Sequence, residues 1–241
     1  MTPPTSFFLP SLVYTASEWP PTSNPLLIIS DTPAELITFA VTLTQHSSLN
    51  GRHVLITTQD RDSLIASLNT STLLTSPLSP MSTTRSILAS DAITVYHVDT
   101  LSQLRILLSS LQHSKVGFLG VDNFVRLHDM AVELSAQGIS RTLAAIVNII
   151  SSSNGSLVLR EPRYSVERSV PILNSGVNSG GLSHATVPIT RILGRWVRGF
   201  WNQESNGEGD CSAEWVCQGE KWNIRWTLHD GEIGDVQISK R

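Results

Sequence analysis

Apolar residues fall along this chain in two rhythms. One is the short unbroken run: PLLIIS (25–30), HVLITT (53–58), ITVYHV (93–98), VGFLGVD (116–122) and SLVLRE (156–161). A run of this length without polar alternation predicts a strand buried on both faces, as in a parallel sheet. The other rhythm is helical. Leu36, Ile37, Ala40, Val41 and Leu43 follow the first run. Leu101, Leu104, Leu107, Leu108 and Leu111 follow the third, and Leu134, Ile139, Leu143, Ile146, Val147 and Ile150 share one face of a helix predicted over 131–150. Asp31 or Thr32 is suited to cap the first helix, Pro33 to its first turn and Asn50-Gly51 to its end. Strands alternating with helices through tight turns predict an α/β, doubly wound, mostly parallel sheet flanked by helices.

Beyond residue 185 the rhythm changes. TVPITRILGRWVRGFW, AEWVCQG and KWNIRWTLHDGEIGDVQI alternate, which predicts antiparallel strands forming a β-rich C-terminal edge. On this reading Arg191, Arg195 and Arg198 lie on one strand, 202–210 is a hairpin loop, and His229-Asp230-Gly231 is a turn. Trp196, Trp201, Trp215, Trp222 and Trp226 crowd this region; tryptophans at that density pack a core and leave a surplus for a partner face. Two stretches lack periodicity. Residues 69–91 are rich in Ser, Thr and Pro and read as a long loop, with Ser76-Pro77 and Ser79-Pro80 as candidate phosphorylation sites. Residues 162–185 form a glycine-rich loop. The organisation predicted is an irregular N-terminal arm over 1–24, carrying the apolar SFFLPSLVY, and a single domain over 25–241.

Composition narrows the classes. With 40% hydrophobic residues the chain buries a full core. A net charge of −3 excludes a strongly basic coat, so any nucleic acid must be held by a local patch. No apolar run reaches the length of a membrane span, so no membrane contact is expected. Two cysteines, Cys211 and Cys217, make no disulfide framework and suit a reducing compartment. The seven histidines show no paired metal-ligand spacing, and no serine sits in a G-x-S-x-G elbow. No metal or cofactor is therefore expected.

Asp122, closing the apolar strand VGFLGVD, stands where a P-loop ATPase carries its Walker B aspartate. The order of features around it resembles the core of the eukaryotic RecA-type recombinases. Asp99, Thr100, Gln103, Leu107 and Leu108 match the helix start before Walker B. Glu133, Leu134, Ser135, Gln137, Arg141 and Leu143 match the helix after it. Thr190 and Arg191, then Trp226, Leu228, Gly231, Ile233 and Asp235, match the closing strands. The resemblance spans about residues 25–238 and implies a RecA-like fold.

One departure changes what that resemblance implies. The phosphate loop falls on Ser30, Asp31, Thr32, Pro33, Ala34 and Glu35, a stretch with no glycine and no lysine. Backbone N–H groups must wrap a triphosphate and a lysine must meet its charge. Two acids at that place repel it. After the second strand, where recombinases hold a catalytic glutamate, stand Thr57, Thr58 and Gln59, and Gln59 is no general base. The chain is therefore expected to be a pseudo-ATPase rather than an enzyme. It is similar to the ATP-site-less subunits of the Shu-complex type of recombination mediator. The resemblance implies a nuclear protein, a paralogous RecA-like partner subunit, the recombinase as a further partner, and single-stranded DNA. In such proteins the loop equivalent to 162–185 faces DNA, which nominates Arg160, Arg163, Arg168 and Arg191 for phosphates and Tyr164 for base stacking. The alternative resemblance is to the RecA-like subunits of Elongator, which serve tRNA wobble-uridine modification and also lack Walker motifs.

Overall fold

The computed structural model describes residues 25–46, 51–69, 91–131, 133–173, 185–205, 210–217, 220–229 and 232–240. The arm over 1–24, Ser76, Ser79, Asp230, Gly231 and the glycine-rich centre at 174–184 lie outside the described residues. So do the side chains of Trp201, Trp215, Trp222 and Trp226, whose backbone alone is described.

The five apolar runs form β1 (Leu26–Ile29), β2 (Arg52–Thr57), β3 (Ile93–His97), β4 (Val116–Asp122) and β5 (Ser156–Glu161). Helices α1 (Ala34–His46), α2 (Arg61–Asn69), α3 (Leu101–Leu111), α4 (Phe124–Met130) and α5 (Ala136–Ser153) connect or cover them. Next come α6 (Arg163–Val166), β6 (Ser169–Pro171), β7 (Thr186–Pro188) and α7 (Ile189–Leu193), then β8 (Gly199–Ser205), β9 (Asp210–Cys217), β10 (Glu220–His229) and β11 (Glu232–Lys240). Nine strands make one sheet in the order β11-β10-β9-β8-β1-β5-β4-β2-β3, and β6 and β7 pair separately. From β8 to β3 every pairing is parallel; β8 to β11 is an antiparallel meander. The mostly parallel sheet with an antiparallel C-terminal edge is the architecture that the two rhythms predict.

The core follows the same logic. Every residue of β4 is buried, and so is all of β1, because helices cover both faces of the central strands. The apolar stripes of α3 and α5 seal one face, with Leu104, Leu108, Ile139, Leu143 and Ile146 among the most buried residues. Thr100 starts α3 with a capping box: its side chain accepts from the Gln103 N–H while Gln103 reaches back to the Thr100 N–H. Such caps are worth about 1 kcal/mol.

Some sequence expectations need correction. The helix expected over 131–150 is α5, which starts only at Ala136, where Ser135 accepts from the Gly138 N–H and caps it, and runs on to Ser153. Helix α4 before it, α2 and α6 have too few turns for their periodicity to stand out. The strand expected through Arg191, Arg195 and Arg198 is interrupted: Arg191 lies on α7 and Arg195 in the turn after it, with the Gly194 N–H bonded to Thr190 O at 2.8 Å. Asn50 lies outside the described residues, and Gly51 stands immediately before β2. It opens β2 at φ +129°, where an added Cβ would lie 2.5 Å from Lys115 O.

Candidate functional site

In open α/β sheets the crevice outside the carboxyl ends of the strands is where ligands bind. Here those ends bring together Ser30 after β1, Thr57 and Thr58 at β2, Asp122 and Asn123 at β4, and Arg160 and Glu161 at β5. Pairing fixes the set: Thr57 lies opposite Asp122, and Asp122 opposite Arg160.

The Arg160 guanidinium does not face solvent. Its Nη1 donates to Asp122 Oδ1 at 2.9 Å, and the two side chains are 2% and 1% exposed. Thr57 Oγ1 donates to the other carboxylate oxygen, Oδ2, at 3.0 Å. Arg160 Nε also reaches Ser30 Oγ at 3.5 Å, and Ser30 Oγ lies 3.0 Å from Glu35 Oε2 and 2.9 Å from Thr32 O. One hydrogen-bonded row thus runs Thr57–Asp122–Arg160–Ser30–Glu35, joining β2, β4, β5, β1 and α1. Both oxygens of Asp122 are engaged within the protein, and its charge is balanced by an arginine.

Burial raises the pKa of two further carboxyls of this edge, Glu35 and Glu161. Burial pushes the Glu35 carboxyl up to about 7, against hydrogen bonds from its own backbone and from Ser30. The Ser30 hydroxyl donates toward both Glu35 Oε2 and Thr32 O. Glu161 is wholly buried. Its Oε1 accepts from the Val125 N–H at 3.2 Å, its Oε2 has no hydrogen-bond partner among the described residues, and burial with the nearby Asp122 charge pushes its pKa up to about 8. Between them stands Asn123, in the left-handed region at φ 52°, with its N–H bonded to Arg160 O at 2.7 Å. A non-glycine residue held there marks a strand end fixed by its surroundings.

This set does not fit a magnesium nucleotide. The aspartate that would serve the metal is saturated, an internal cation already supplies the positive charge, and Glu35 and Asp31 stand where phosphates would need N–H donors. Among the described residues no cluster of three or more His, Cys, Asp or Glu could hold a metal ion. No helix among them is long and apolar enough to cross a membrane.

The residues nominated for DNA divide. Arg160 is withdrawn from that surface: a buried guanidinium paired to Asp122 has no access to phosphate. Arg163 donates through Nη2 to Asn202 Oδ1 at 2.8 Å, and its N–H points to Asp31 Oδ1 at 3.4 Å. Arg168 grips Asp129 with two bonds of 2.9 and 3.2 Å at an exposed position, and its hydrogen bond holds the Asp129 carboxyl below the usual range. Tyr164 is 61% exposed. Arg191 is exposed on α7, which packs on α6; the Ile189 N–H bonds Arg168 O at 3.0 Å. Tyr164, Arg168 and Arg191 therefore share one small layer, with Arg163 at its root. Sequence reasoning missed Thr57, Glu161, Asp129 and Asn202 as partners. A signal for Glu161 was present: SLVLRE ends an apolar run in two opposite charges, and charges in a doubly covered strand must be paired inside.

Fold and site together define an α/β chain whose strand ends carry a row of side chains paired with one another. It belongs to the SPAC22G7.03-like family, whose profile matches residues 23–241. No curated protein matches the chain. The membership fixes kinship, not chemistry.

Proposed function

We propose that this chain is a non-catalytic, RecA-like scaffold subunit of a recombination mediator. On this reading it acts in the nucleus with a paralogous RecA-like partner to assist recombinase filament assembly on single-stranded DNA. The observation that carries the proposal is the buried Arg160–Asp122 pair. It stands at the end of the strand that resembles Walker B, beside a strand-to-helix turn lacking glycine and lysine. Such a turn keeps the strand-helix geometry of a nucleotide fold while side chains fill the position of the ligand. What then remains for the molecule is binding: a partner across the sheet edges, and DNA across the layer of Tyr164, Arg163, Arg168 and Arg191.

Affinity purification of the tagged full chain tests the role. Recovery of a recombinase together with a second RecA-like subunit is the expected result, and recovery of Elongator subunits instead would replace this reading. Calorimetry with Mg-ATP tests the closed site: no binding heat is expected, and a micromolar Kd would overturn it.

A further inference from the structure

The opposite, amino-terminal end of the sheet is built differently. A groove of about 490 Å³ opens there between the starts of β1 and β5 and the end of α5. Val147 and the buried Ile150 give it an apolar floor, the half-buried Trp196 lines it, and Arg195 and Arg198 stand exposed on its rim. Backbone bonds fix that rim. The Arg195 N–H donates to Ile192 O at 3.2 Å, the Trp196 N–H to Leu193 O at 2.9 Å and the Arg198 N–H to Pro25 O at 2.8 Å. The two guanidinium groups, by contrast, have no ion-pair partner among the described residues, and none of the residues lining the groove is acidic. The sequence concentrates charge in the same place. Between Glu167 and Glu204 it holds no acid and four arginines, in a chain of net charge −3. Such a local excess draws polyanions to a protein that repels them elsewhere.

Two guanidinium groups beside an indole suit an anion that also carries a flat apolar face. A guanidinium can hold a phosphate through two parallel N–H bonds. An indole offers a stacking surface to any nucleic-acid base. A duplex keeps its base faces inside the stack, whereas a single strand presents them. An acidic peptide would satisfy the arginines but leave the indole without a planar partner. The groove has the volume of a small-ligand pocket, roughly 300–1,000 Å³, which suits individual nucleotides of a strand and not a double helix. We propose that this groove is a binding site for single-stranded DNA, with a base stacked on Trp196 and flanking phosphates held by Arg195 and Arg198. The site rests on the DNA binding proposed above, but needs neither the recombinase nor the partner subunit.

Cross-linking and salt titration of the full chain test it. The probe is a labelled oligo-dT carrying 5-iododeoxyuridine, which couples to a stacked aromatic ring under ultraviolet light. The expected cross-link falls on Trp196. Arg195→Ala with Arg198→Ala removes two phosphate contacts at exposed positions and should flatten the slope of log affinity against log salt by about 1.4. An unchanged slope in that variant, or a cross-link confined to Tyr164, would overturn the groove and leave the DNA reading standing. No binding of the probe by the unmodified chain would overturn both. Polyglutamate displacing the probe as well as unlabelled oligo-dT does would make the groove a seat for acidic segments and overturn its assignment to DNA.

Discussion

At the carboxyl ends of β4 and β5, Arg160 Nη1 meets Asp122 Oδ1 at 2.9 Å with both side chains buried. In the adjoining layer of α6, β6 and α7, Arg168 Nη1 meets Asp129 Oδ2 at the same 2.9 Å, with side chains 43% and 47% exposed. In sequence both arginines read alike, as cations beside a glycine-rich loop. Burial separates them. In the first place the pair has lost its water and each partner is indispensable to the other. In the second, solvent screens the attraction and either partner can be exchanged for another ligand. Closing one arginine inside and leaving the next outside separates a pair that holds the domain together from one that solvent can open.

The largest test of that contrast is Arg160→Ala. It strands Asp122 in the core without its cation, and the expected loss is about 3–5 kcal/mol in urea unfolding. The double variant Arg160→Met with Asp122→Leu should lose less than the single one, because no unpaired charge is left behind. A loss below ~1 kcal/mol for Arg160→Ala would erase the distinction between the two pairs.

The next largest effect is in pH. Glu35 and Glu161 have folded pKa values of about 7 and about 8, both raised from 4.5 by burial. The native state therefore holds protons that the unfolded chain releases. The stability these groups contribute is complete below pH 4.5 and is lost as pH rises through 7 and 8. Tm should fall on the order of 5–10 °C between pH 6 and pH 9. Glu161→Gln, which mimics the neutral acid and keeps the acceptor for the Val125 N–H, should remove the upper part of that fall. An unchanged pH profile in this variant would show that Glu161 is ionised in the fold.

The frame of the domain was legible because it rests on burial. Doubly covered strands must be apolar throughout, and VGFLGVD or PLLIIS can satisfy few other roles. Helix α7 was not legible: ITRIL is too short to show a 3.6-residue period and is rich in β-branched residues, so tertiary packing on α5 and α6 decides its form. That the turn after β1 holds neither glycine nor lysine was legible directly in the sequence. What its side chains pair with was not. Nothing local to SLVLRE names Asp122, 38 residues away, as the partner of Arg160, because that choice is made by the register of β4 on β5.

A smaller effect is expected from the outer layer in binding. Each phosphate neutralised on a single strand contributes roughly −0.7 to the slope of log affinity against log salt. Within the partner complex, Arg163→Ala, Arg168→Ala and Arg191→Ala together should flatten the slope by about two and leave partner recovery unchanged. Unchanged affinity and slope would move the DNA surface off this layer.

The smallest effect sharpens the comparison most, because it concerns the pair with the same length as the first. Arg168→Ala removes two hydrogen bonds to Asp129, yet both groups return to water when the pair opens. The expected stability change is therefore about 0.2–1 kcal/mol and shrinks in high salt, unlike that of Arg160→Ala. Asp129→Asn separates structure from binding. It frees the Arg168 guanidinium without removing it, so stability should change as little as in Arg168→Ala while affinity for single-stranded DNA rises. Should Asp129→Asn instead lower that affinity, Asp129 would be orienting Arg168 toward the strand, and the exposed pair would be part of the binding surface.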